Sequence, residues 1–168
     1  IDVASSLNPV MSELTDRLAE RLPGRARISS AGSQTVARQV ANGKDSDIVF
    51  LANVRWMDYL ADNGALETGS RRHLLSNQLV LIGPTGDTTV QQVDDLRRPS
   101  VRLGLGNVTA VPVGIYAKET LSSMELWTDR SYTTVMFPHV RAVLSAVSSG
   151  ELSAGIVYQT DLYREEGV

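Results

Sequence analysis

Apolar positions follow two patterns along this chain, and the two alternate. A continuous apolar run occurs at Ile48-Val49-Phe50-Leu51-Ala52, and short, largely apolar runs at Leu79-Val80-Leu81-Ile82, Val101 to Leu105 and Ala154 to Tyr158. Short runs bounded by turn residues read as strands covered on both faces. Between them, Val10, Met11, Leu14 and Leu18, then Val36, Ala37 and Val40, then Val140, Val143, Leu144 and Val147 recur at helical spacing. The first helix is expected to open at Ser5-Ser6-Leu7-Asn8-Pro9 and to stop at Pro23-Gly24. Ser33 is expected to cap the second, which Asn42-Gly43 ends, and Val54 to Asn63 forms a third. Ile1 to Ala4, Ala26 to Ser30 and Tyr132 to Met136 read as further strands, Val93 to Leu96 as a short helix. Gly150 stops the helix opened by Pro138-His139-Val140, and Asp161 to Glu165 makes a last helical turn. Strands alternating with helices predict parallel β-α-β units, hence an α/β fold whose ligands sit beyond the carboxyl ends of the strands.

One stretch organises the rest. Ala110-Val111-Pro112-Val113-Gly114-Ile115-Tyr116-Ala117-Lys118 follows a strand and opens a helix. Proline suits a helix start, where its fixed φ fits and its missing N–H is not needed. Gly114 lets something come close to the backbone. Free amides in a helix's first turn, with the positive end of the helix dipole, make a ready anion site.

Composition narrows the possibilities. The 168 residues suit one ordinary domain or two small lobes, with 42% hydrophobic and 21% charged residues. A net charge of −3 argues against non-specific nucleic-acid binding, so any anion site must be built locally from dipoles and hydroxyls. Lack of cysteine excludes disulfides and thiolate metal sites. No run approaches the ~18 apolar residues of a membrane span. The chain begins with Ile1 and shows no signal peptide, the mark of a processed or trimmed form.

Four motifs carry a resemblance. Ala31-Gly32-Ser33-Gln34-Thr35-Val36-Ala37-Arg38-Gln39-Val40, Trp56-Met57-Asp58-Tyr59-Leu60-Ala61-Asp62, Val113-Gly114-Ile115-Tyr116-Ala117-Lys118-Glu119 and Gly155-Ile156-Val157-Tyr158 stand in this order. With these spacings the chain resembles the periplasmic molybdate-binding proteins of ABC importers, which are type II periplasmic binding proteins, from about residue 3 to its end. The resemblance implies a two-lobe fold with a ligand cleft between the lobes. It implies oxyanion contacts at Ser6, Ser33, Val113, Val140 and Tyr158, with no protein side chain bound directly to metal. It also implies a ligand, molybdate or tungstate, no cofactor, and permease subunits in the membrane as partners. The compartment would be the periplasm, or the outer face of a single membrane with a lipid anchor.

The residue types suit that role. A tetrahedral dianion offers four acceptor oxygens, so donors satisfy it and a carboxylate would repel it. Ser6, Ser33 and Tyr158 carry hydroxyls, whereas Val113 and Val140 would act through main-chain N–H groups. A helix start contributes roughly 0.3–1 kcal/mol to a bound anion, and each charge-assisted hydrogen bond about 1.5–3 kcal/mol. Each residue has a plainer reading as well. Ser6 and Ser33 suit helix caps, and Tyr158 suits a half-buried packing position at a strand end.

Other chemistries fare worse. His73 and His139 are the only histidines and have no ligand-spaced carboxylates nearby. No Gly-x-Ser-x-Gly elbow is present, and Gly104-Leu105-Gly106 lacks the third glycine of a dinucleotide loop. The expected class is therefore a binding protein and not an enzyme. An oxyanion-sensing effector domain of the same fold, or a sulfate-type binder, is the alternative.

Two features depart from the family pattern. The first strand is short, which leaves Ser5 as the alternative to Ser6. Family members continue for several tens of residues beyond the segment matching Gly155 to Tyr158. Residues 1–81 are thus expected to form most of lobe one, 82–158 lobe two, and 159–168 a return crossover toward lobe one. Lobe one would be incomplete, and the chain a monomer unless its open sheet edge pairs.

Overall fold

The computed structural model describes residues 1–21, 24, 26–128, 131–163 and 165–168. The expected stop at Pro23 and Arg164 of the expected final turn lie outside them. The chain forms two compact units, Ile1–Ser76 and Asn77–Val168.

Unit one holds a three-stranded parallel sheet in the order β2-β1-β3, with β1 at Asp2–Ala4, β2 at Ser29–Ala31 and β3 at Val49–Phe50. Its helices are α1 (Asn8–Ala19), α2 (Ser33–Ala41) and α3 (Val54–Asp62). A 3-10 turn over Ser5–Leu7 leads into α1, whose Pro9 sits at the helix start where no N–H is needed. Val3, Ala4, Val36, Ala37, Trp56 and Leu60 are buried and make the core of this unit. Two expectations are corrected here. β3 is a two-residue edge strand paired only with β1, and both its residues are half-buried, so it is not a strand covered on both faces. The helical stripe of α1 is also split: Met11 is buried, while Val10, Leu14 and Leu18 are 54%, 43% and 40% exposed.

Unit two holds a four-stranded sheet in the order β4-β7-β5-β6. β5 (Arg102–Gly106), β6 (Thr133–Phe137) and β7 (Ala154–Tyr158) run parallel, while β4 (Leu79–Ile82) pairs antiparallel with β7. The expectation of parallel units holds for six of the seven strands, β4 being the exception. Leu96, Val101, Leu103, Leu105, Leu121 and Ile156 are buried in one apolar cluster with Ala117 of helix α4 (Pro112–Ser123). Helix α5 (Val140–Ser148) packs on β5 and β7, whose Gly104 and Gly155 stand opposite each other in register. A Cβ at either would lie 2.9–3.2 Å from Val143 Cγ1, so bare backbone at both lets α5 sit close to the sheet.

Candidate oxyanion site

In each unit the parallel strands end at one edge, and the expected site residues stand on the segments leaving it. In unit one, Ser5 and Ser6 follow β1 and Ser33 follows β2. Ser5 is buried and Ser6 half-buried, so Ser6 presents the more accessible hydroxyl. Ser33 is the first helical residue of α2 and not its cap; Gly32 holds that position, with no side-chain cap bond. The buried Ser33 hydroxyl oxygen instead accepts the Ala52 N–H at 3.0 Å. This fixes the hydroxyl and leaves its own proton to donate.

In unit two, Val113 stands in the first turn of α4 after β5, Val140 begins α5 after β6, and Tyr158 ends β7. The three share one edge because β5, β6 and β7 are parallel. First-turn amides of both helices lie ahead of the first intrahelical bond. In α5 the His139 side chain takes one of these amides: Nδ1 accepts the Ala142 N–H at 3.1 Å. That nitrogen is therefore unprotonated, and burial holds the imidazole below its ordinary pKa of 6.5, so His139 is neutral at pH 7. The amides of Val140 and Arg141 remain ahead of the cap. In α4 Gly114 has the close backbone neighbour expected of it. A Cβ on Gly114 would lie 2.1 Å from the Gly106 carbonyl oxygen, so what comes close there is the end of β5.

Tyr158 is 3% exposed, and its buried hydroxyl has no hydrogen-bond partner among the described residues. A buried hydroxyl without a partner costs roughly 1–3 kcal/mol, which marks the position as unusual. Burial, with smaller contributions from Tyr116 and Asp161, holds the phenol above its ordinary pKa, so it stays protonated and able to donate. The residues therefore form two sets of neutral donors, Ser6 and Ser33 in one unit, Val113, Val140 and Tyr158 in the other.

Two contributors escaped sequence reasoning. His139 stands in the segment Pro138-His139-Val140 that opens the helix, but nothing in the pattern marks its side chain as the cap of α5. Asp161, 1% exposed, accepts the Tyr158 N–H on Oδ2 at 3.1 Å. The signal was present as Tyr158-Gln159-Thr160-Asp161, an acid at the third position of a helical turn. Among the described residues no cluster of His, Cys, Asp and Glu could hold a metal ion, and no helix is long and apolar enough to cross a membrane.

Known proteins share both the sequence pattern and the fold. The chain matches the family described as "Bacterial extracellular solute-binding protein" over residues 1–168. It is 32% identical to the molybdate-binding protein ModA of Escherichia coli over 171 residues, which cover 98% of this chain and 66% of that protein. The ModA of Haemophilus influenzae is 31% identical over 165 residues, 94% of this chain and 65% of that protein. The chain thus spans just under two thirds of the length of these curated relatives. The periplasmic molybdate-binding protein of Azotobacter vinelandii superposes with a TM-score of 0.82 at 22% identity, over 94% of this chain and 71% of that one, a likeness of fold. A family match over residues 1–168, on an α/β fold of two units, makes this chain a member of the bacterial extracellular solute-binding protein family.

Proposed function

We propose that this chain is a solute-binding protein for a tetrahedral oxyanion, molybdate or tungstate, which it delivers to an ABC importer without transforming it. The observation that carries this reading is the buried, unpartnered Tyr158 hydroxyl at the edge where α4 and α5 begin. An anion oxygen is the acceptor that such a donor lacks. Ser33, with its oxygen occupied by the Ala52 amide, is oriented to give its proton in the same way.

We assign Ser6, Ser33 and Tyr158 as hydroxyl donors and Val113 and Val140 as main-chain donors. Several charge-assisted hydrogen bonds at about 1.5–3 kcal/mol each, less association costs of several kcal/mol, reach micromolar affinity or better. No arginine or lysine is required, which reconciles the net charge of −3 with an anionic ligand. The relatives named for molybdate support the choice of ligand. A relative in Bacillus subtilis, called a putative ABC transporter substrate-binding lipoprotein, supports the importer and a place outside the cytoplasm.

Calorimetric titration of the chain with molybdate, tungstate and sulfate at one ionic strength tests the reading. Saturable binding of molybdate and tungstate, with sulfate at least tenfold weaker, is the expected result. Sulfate bound as tightly as molybdate would remove the assignment to the larger anions.

A further inference from the structure

The end of β7 and the turn after it hold two buried polar atoms with no hydrogen-bond partner among the described residues, the Tyr158 hydroxyl and Oδ1 of Asp161. The other carboxylate oxygen, Oδ2, accepts the Tyr158 main-chain N–H, so Asp161 fixes the backbone from which the hydroxyl projects. A carboxylate buried this deeply ordinarily has a cation on it. Arg141 of α5 donates Nη1 to the main-chain carbonyl of Asp161 at 3.2 Å, so among the described residues its hydrogen bond goes to the backbone and not to the carboxylate.

We propose that Asp161 is a positioning residue for the anion bound at Tyr158, and that its carboxyl takes up a proton when the anion binds. This rests on the oxyanion reading given above. A dianion donated to by Tyr158 puts negative charge beside a buried carboxylate only one turn away. Two such charges in a poorly solvated place raise each other's cost, and protonating Asp161 removes the conflict. The proton sits on Oδ1, the free oxygen, so the bond from the Tyr158 N–H to Oδ2 survives. The bound anion touches the Tyr158 hydroxyl through one of its oxygens and gains no bond to Asp161.

Groups on the surrounding elements allow this. β4, paired with β7, has no titratable side chain over Leu79–Ile82. α4 contributes Tyr116, whose phenol is held above its ordinary pKa by burial and Glu119 and stays neutral. α5 contributes Arg141, which lowers the Asp161 pKa, and His139, whose Nδ1 is occupied by its own helix. Burial outweighs Arg141 and the Tyr158 N–H and pushes Asp161 up to about 6, so a modest further rise brings the proton on near neutral pH. By linkage, a one-unit rise of this midpoint on binding equals a tenfold fall in affinity as pH rises through the window.

The experiment is titration of micromolar molybdate into the chain and into Asp161→Asn between pH 5.5 and 8, in buffers of different ionisation heat. Asn keeps an acceptor for the Tyr158 N–H and cannot titrate. The expected result is proton uptake on binding and roughly tenfold weaker binding at pH 8 in the unaltered chain, with both absent in Asp161→Asn. Carbon-detected NMR of the Asp161 carboxyl in the unaltered chain adds a readout needing no variant. Its midpoint is expected near 6 without molybdate and higher with it. Equal pH profiles in both proteins, or a carboxyl midpoint that molybdate does not move, overturn the inference and leave the oxyanion reading standing. No binding by the unaltered chain at any pH overturns both.

Discussion

The Ser33 hydroxyl oxygen lies 3.0 Å from the Ala52 nitrogen and accepts its N–H, joining the segments that leave β2 and β3. The bond makes Ser33 at once a structural tie and a pre-oriented donor. Ser33→Ala is therefore expected to act twice. Losing the bond from the Ala52 N–H costs about 1 kcal/mol of stability, and losing a charge-assisted donor weakens oxyanion binding by about 1–3 kcal/mol. Urea denaturation without ligand reads the first effect and calorimetry the second. Unchanged affinity would remove Ser33 from the site.

Gly114→Ala is expected to destabilise unit two by about 1–3 kcal/mol or more, because the new methyl would meet the Gly106 carbonyl 2.1 Å away. The neighbour is backbone and cannot rotate aside. A thermal midpoint equal to that of the unaltered chain would show that α4 does not dock on the end of β5 as described.

The His139 cap carries a pH dependence with a definite sign. Burial lowers its pKa in the folded chain, so the unfolded chain binds more protons below about 6.5. Stability from this group is present above that value and is lost as pH falls. Losing a cap costs about 0.5–2 kcal/mol. Asn is a good cap that does not titrate, so His139→Asn should be less destabilised than the unaltered chain when pH drops from 7.5 to 5. Equal losses in urea midpoint for the two proteins would show that His139 does not report on the cap.

Much of the fold was legible because burial on both faces leaves an apolar run, as in β7, and turn glycines such as Gly150 mark helix ends. Where pairing decides burial, local pattern misled. Val10, Leu14 and Leu18 have the spacing of a buried stripe, yet α1 turns Met11 inward and leaves those three exposed. Nothing in the apolar run of β3 says that it pairs on one side only, or that β4 enters its sheet antiparallel. At the site, serine before a helix reads as a cap, and only the fold directs Ser33 to Ala52 instead. The use of Gly114 was half legible: its need for a close neighbour follows from the residue type, while the neighbour itself is set by how α4 crosses the end of β5. Asp161 was overlooked because an exposed turn acid looks the same in sequence as one 1% exposed.

The most direct test of the oxyanion site is the paired measurement of Tyr158→Phe, stability without ligand and affinity for molybdate. The substitution removes one oxygen, which has no partner among the described residues. Ligand-free stability should hold or rise, by up to about 1–3 kcal/mol, since an unsatisfied buried hydroxyl disappears. Molybdate affinity should fall by about 1.5–3 kcal/mol, more than tenfold, since a charge-assisted donor disappears with it. A variant that binds molybdate as tightly as the unaltered chain would contradict the assignment of Tyr158, and with it the site built around that hydroxyl.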